Sequence, residues 1–99
     1  MRQAARIDAN QPDIIKALRS VGASVQPLHT VGAGCVDLAV GFRGANYLLE
    51  VKDGRQPPSK RRLTPDEEKW HAEWRGHVAV VNSVDEALQE IGAVDEYRA

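Results

Sequence analysis

Apolar and polar positions along the chain change period several times, and each change predicts an element. Ile14, Ile15, Leu18 and Val21 recur at helical spacing, and Gly22 closes that run. Asn10 stands where a cap belongs, Pro12 falls in the first turn, and Asp13 suits the positive end of the helix. Residues 23–29 read as a short strand, which Pro27 confines to an edge or makes irregular. A loop over 30–34 follows. Two apolar runs, 36–40 and 47–52, flank a glycine-containing loop at 41–46 and predict a hairpin. Residues 53–62 are rich in Gly, Pro, Lys and Arg, and predict a surface loop. Thr64, Pro65 and Glu67 announce a second helix through a cap, a first-turn proline and a capping box; it runs to about residue 75 and stops at Gly76. Residues 77–82 form a nearly continuous apolar strand, of the kind buried on both faces. Ser83 and Glu86 suggest another capping box. Behind it Val84, Ala87, Leu88 and Ile91 make a third helical stripe, closed by Gly92. Residues 1–9 are polar and Ala-rich and are expected to be loosely ordered, and 94–99 carry no assigned element. The order helix-strand-strand-strand-helix-strand-helix predicts an α/β domain with a central mixed four-stranded sheet flanked by helices.

Charge breaks the hairpin's pattern. Asp37 interrupts the first apolar run, and Glu50 and Lys52 interrupt the second. Charged side chains are rarely buried without a partner or a metal. Alternation along a strand puts Tyr47, Leu49 and Val51 on one face, and Leu48, Glu50 and Lys52 on the other. Glu50 and Lys52 are then neighbours, roughly 6–7 Å apart along the strand. A turn centred on Arg43 and Gly44 sets Asp37 directly across from Glu50, with Cβ atoms about 4.5–5.5 Å apart. Two carboxylates that close repel unless a cation or a shared proton lies between them. Mg²⁺ held by one or two carboxylates resolves the conflict. A one-residue slip in register would separate the two acids onto opposite faces.

The 99 residues suffice for one small domain, 1–99, and not for two. No apolar run approaches membrane-spanning length, and residues 1–6 lack the apolar core of a signal peptide. Cys35 is the single cysteine, so no internal disulfide forms, and a reducing cytoplasm is expected. The formal net charge of −1 does not by itself point to nucleic acid. Its distribution is uneven, however. Residues 52–62 hold Lys52, Arg55, Lys60, Arg61 and Arg62 against Asp53 alone, and the charges within 84–94 are all acidic.

Other candidates are weaker. Gly32-Ala33-Gly34 completes no phosphate-loop pattern; a turn feeding the next strand is the simpler reading, and close approach of backbone to a ligand the sharper one. Trp70 and Trp74, four apart with Glu67 and His71 flanking, are expected in the core. His29, His77 and Cys35 fit no zinc spacing. Asn10 is most simply a helix cap.

Asp37 followed by Glu50-Val51-Lys52 at the end of the next strand resembles the D…(D/E)-X-K signature of the PD-(D/E)XK nuclease superfamily. The element order is similar to that superfamily's restriction-endonuclease-like core. The stretch G-C-V-D-L…Y-L-L-E-V-K-D-G…L-T-P-D-E resembles more narrowly the small VRR-NUC-type nucleases of phages and bacteria, over roughly residues 8–88. The chain departs from the pattern in places. Val36 replaces the signature's proline. The first helix offers Asn10, Gln11 and Asp13 where many relatives place an acid. Residues 69–73 hold no Gln-x-x-x-Tyr, and Glu68 stands where close relatives often carry Gln.

The resemblance implies that Asp37, Glu50 and the Val51 carbonyl bind Mg²⁺ or Mn²⁺, one or two ions per site, with no organic cofactor. Oxygen ligands with open water positions suit these hard ions. Lys52 would orient water or balance charge at the phosphate. Lys60, Arg61 and Arg62 would contact phosphates, Gln11 would occupy the first helix's polar position, and His71 would stand behind the ligands. The implied activity is structure-selective hydrolysis of branched DNA, such as four-way junctions, by a homodimer in a bacterial or phage-infected cytoplasm. A nicking or flap nuclease of phage DNA processing is the enzymatic alternative. A non-catalytic nucleic-acid-binding module of the same fold, or a protein-interaction domain with no DNA role, is the alternative from another class.

Overall fold

The computed structural model describes residues 7–98; the expectations for 1–6 and for the final residue lie outside them. The chain forms α1 (Gln11–Ser20), β1 (Ser24–Pro27), β2 (Leu38–Phe42), β3 (Ala45–Val51), α2 (Pro65–Glu73), β4 (Ala79–Val81) and α3 (Val84–Ile91). Short 3₁₀ turns lie at Pro58–Lys60 and Val94–Glu96. The strands make one mixed sheet in the order β1-β2-β3-β4. β1, β2 and β3 are antiparallel, and β4 runs parallel to β3 after the α2 crossover. The predicted element order and mixed sheet are therefore present. No helix among the described residues is long and apolar enough to cross a membrane.

The hairpin turns on two residues, not six. Arg43 and Gly44 both have positive φ, 49° and 80°, as a tight primed turn requires. Phe42 is buried, so the ladder continues past Gly41 to the Phe42–Ala45 pair, and the expected 41–46 loop is mostly strand. Pro27 ends β1 at the sheet edge, where its missing N–H costs no ladder bond.

One face of the sheet carries the core. Leu38, Val40, Phe42, Leu49, Val51 and Val81 pack against Ile14 and Leu18 of α1 and Leu88 and Ile91 of α3. Fully burying such side chains stabilises by about 1.5–3 kcal/mol each. This face therefore holds the fold and leaves the other free to carry charge.

α2 lies on the second face and covers little of it. None of its residues is buried. Trp74 is 45% exposed and Trp70 half-buried, so the expected core position of the tryptophans is wrong. The face of α2 that meets the sheet belongs to Glu67 and His71, which bond to Lys52 and Glu50. The same sparse cover leaves Val80 of β4 41% exposed, so β4 is not buried on both faces as expected.

Caps also depart from expectation in two places. Thr64 and Glu67 form the full capping box of α2. At α3, Ser83 Oγ accepts from the Glu86 N–H, but Glu86 turns back to accept from Asn82, so the second box is only half made. Asn10 does not cap α1. Its backbone is already helical (φ −83°, ψ −7°), and its side chain is drawn elsewhere.

Candidate functional site

The expected register is observed along β2 and β3, from the Phe42–Ala45 pair as far as Leu38. Leu38 pairs with Leu49, and the Asp37 N–H donates to the Leu49 carbonyl at 3.1 Å. Asp37 itself lies just outside β2, and its N–H goes to the residue that Leu38 already faces, so it is not set directly opposite Glu50 as expected. The two side chains nevertheless line one cleft, close enough for the Asp37 carboxyl to act on Glu50. Both are buried, Glu50 to 1% exposure. Asp37 Oδ2 accepts the Val51 N–H at 2.7 Å, which fixes the carboxylate against the end of β3.

Around these acids lies an open cleft of about 660 Å³. The glycine-rich loop lines one wall, with Asp37, Glu50 and Lys52 on the sheet. The first turn of α2 lines another, and Lys60 and Arg62 project from the basic loop. Gly34 (φ +81°) comes so close to α2 that an added Cβ would lie 2.2 Å from the Asp66 carbonyl oxygen. Gly34 therefore serves a close approach to helix backbone, a role distinct from the expected approach to a ligand.

Lys52 is bound on two sides. Its Nζ meets Glu67 Oε1 at 2.7 Å and Glu50 Oε2 at 3.9 Å. The same Glu67 oxygen accepts the Thr64 N–H of the capping box, so one carboxylate ties helix start to lysine. Behind Lys52, Asn10 Nδ2 donates to the carbonyls of Lys52 and Asn82, at 3.0 and 3.2 Å. That pulls the start of α1 onto the ends of β3 and β4, and it explains why Asn10 is lost as a cap. His71 Nε2 stands 3.4 Å from Glu50 Oε1.

Electrostatics follow from burial. Burial first, then the Asp37 carboxyl and Glu67, push the Glu50 carboxyl up to about 10. Burial pulls the Lys52 ammonium down, but Glu67, ahead of Glu50 and Asp8, more than reverses it. Burial also raises Glu67, and Lys52 with the Thr64 N–H brings it below its ordinary value. Desolvation holds His71 below the usual histidine range, favouring the neutral ring beside Glu50.

The structure gathers most of the expected residues. Asp37, Glu50, Lys52, Lys60 and Arg62 share the cleft, and His71 backs Glu50. Arg61 does not line it; its Nε donates to the Gln56 carbonyl. Gln11 is 2% exposed and lines a separate groove beside β1. Val51 is fully buried, and its N–H is taken by Asp37. Sequence reasoning missed Glu67 and Asp8 as cleft residues. Glu67 was legible as a cap alone, although its four-residue spacing from His71 marks the helix face that meets the sheet. Asp8 precedes the first helix and carried no signal.

Among the described residues, no three His, Cys, Asp or Glu side chains converge as a metal cage. Of the expected donors, Asp37 and Glu50 present their carboxylates to the cleft. Two carboxylates fit a hard ion that keeps several waters, and a buried carboxyl driven to about 10 is one that a cation would relieve. Comparison with protein-family models, curated proteins and solved structures finds no match to this chain.

Proposed function

We propose that this chain is a divalent-metal-dependent nuclease that hydrolyses DNA phosphodiesters at branched structures, acting as a homodimer. The observation that carries the reading is the convergence of the buried Asp37 and Glu50 side chains on one cleft, with Lys52 two residues on and held by Glu67. The sheet order, with α2 crossing to β4 over the charged face, supports a restriction-endonuclease-like core.

Asp37 and Glu50 would hold Mg²⁺ or Mn²⁺. A bound ion supplies a water of lowered pKa and positive charge at the phosphoryl oxygen. The remaining work falls to side chains in place. The Lys52 ammonium, aimed by Glu67, offers its charge where negative charge grows on the phosphate oxygens. Lys60 and Arg62 at the cleft mouth contact flanking phosphates and position the strand without reading bases. Water adds to phosphorus, the bond to the leaving oxygen breaks, and that oxygen takes a proton.

The test is cleavage of four-way junction, flap and plain duplex DNA with Mg²⁺ or Mn²⁺, by the natural chain and by Asp37→Asn and Glu50→Gln. The natural chain should cut branched DNA only with the ion, and both variants should fail while remaining folded. Normal cutting by either variant overturns the site, and equal cutting of plain duplex overturns the branched substrate.

A further inference from the structure

We propose that Trp70 and Trp74 form a stacking platform for an unpaired nucleobase beside the Asp37–Glu50 cleft. Their rings lie 4.7 Å apart and tilt by 10°, a parallel stack, with Trp74 45% exposed. Glu67 and His71 spend one stripe of α2 on the sheet, and the indoles occupy the adjacent stripe. Neither indole lines the cleft, but the stack is linked to it through His71 and Glu50. Trp70 meets the edge of the His71 ring at 5.8 Å, and His71 reaches Glu50.

In this parallel stack each indole covers the other's inner face, and the outer face of the exposed Trp74 ring is left as a flat π-surface on which any base can continue the stack. Charges on and just beyond the exposed turns of α2 are of both signs, with Lys69 and Arg75 against Glu68 and Glu73. The surface is therefore not a phosphate track, and its contact with nucleic acid is to the base. A strand with its phosphate in the cleft can give a base to the platform only where that base is unpaired, as at a branch point, flap or single-stranded segment. The inference rests on the nuclease reading for the path of the strand. The base contact itself does not require catalysis.

The chain's two tryptophans are both in this stack, so intrinsic fluorescence reports on it alone. The full chain, in EDTA so that nothing is cut, is titrated with an oligothymidylate and with a blunt duplex. The single strand should quench the emission and the duplex should not. By anisotropy of labelled oligonucleotides, Trp74→Ala should weaken single-strand binding on the order of tenfold. Trp74→Phe should restore most of it, and duplex binding should change less than twofold. The single-strand increment should also respond less to salt than phosphate contacts do. Absence of single-strand binding, equal loss for both DNAs, or emission that shifts with protein concentration alone (a second copy on the indoles) overturns the platform. Quenching without metal-dependent cleavage sustains the platform and sinks the nuclease. Cleavage through Asp37 and Glu50 with Trp74→Ala binding normally does the reverse.

Discussion

The Val51 N–H donates to Asp37 Oδ2 at 2.7 Å, so the first acid of the cleft is bonded to the residue that follows the second. This bond locks the carboxylate and helps pin the register on which the site depends. Asp37→Asn retains an oxygen that can accept the Val51 N–H, so the fold should persist while metal-dependent cleavage falls about a hundredfold or more. Asp37→Ala leaves a buried N–H without a partner, and should cost a further 1–3 kcal/mol or so in urea melts. Equal stability of the two variants would show that the bond contributes nothing.

Glu50 predicts how stability depends on pH. Its carboxyl sits at about 10 in the folded chain, against 4.5 ordinarily. Between those values the folded chain retains a proton that the unfolded chain gives up. The contribution is therefore full below about 4.5 and is lost as pH climbs towards 10. Without divalent ions, thermal stability should decline from pH 6 to pH 9. Mn²⁺ should raise the melting midpoint more at pH 9 than at pH 6, because the ion replaces the proton. Each 1 kcal/mol would read as about 4–8 °C for a domain of this size. Glu50→Gln should flatten the pH slope and abolish the Mn²⁺ response. A pH-independent midpoint in the natural chain would contradict the buried-acid account.

Glu67 joins the helix cap to the lysine, and two substitutions separate these roles. Glu67→Gln keeps an oxygen for the Thr64 N–H but loses the ion pair to Lys52. Glu67→Ala loses both, and should cost about 1–2 kcal/mol, more than Gln. Because Glu67 is the main support holding the Lys52 ammonium up against burial, Glu67→Gln should move the alkaline limb of the cleavage pH profile to lower pH. An unmoved limb would mean that Lys52 does not need its partner.

What could be read in the sequence was local or periodic. The hairpin register followed from one turn and brought Asp37 and Glu50 to the same end of the sheet, although Asp37 lies one residue outside the ladder. Thr64-Pro65 and Gly92 marked helix ends because caps are written in adjacent residues. What failed depended on partners far along the chain. Asn10 reads as a cap until Lys52 and Asn82 offer it carbonyls 42 and 72 residues away. Trp70 and Trp74 read as core because the spacing of a stripe does not say which stripe of a helix meets the sheet. That choice was made by Glu67 and His71, whose partners Lys52 and Glu50 lie on another element. Val80 followed the tryptophans: a strand edged by a sparsely packed helix stays open on one side.

The loop at Gly34 gives a test of how α2 is held over the cleft. Gly34 and Gly44 have nearly the same left-handed backbone, with φ of +81° and +80°. An alanine at either meets the same intrinsic cost, about 1 kcal/mol. Their surroundings differ. At Gly44 an added Cβ meets nothing within 4 Å, while at Gly34 it would overlap the Asp66 carbonyl at 2.2 Å. Gly34→Ala must therefore push the loop and the first turn of α2 apart, and should be destabilised by about 1–3 kcal/mol beyond Gly44→Ala. The displacement carries Glu67 away from Lys52. Well below its melting midpoint, Gly34→Ala should therefore cut DNA more slowly than Gly44→Ala, which should cut normally. Matching melts and matching rates for the two variants would mean that the close approach at Gly34 does not set the position of α2.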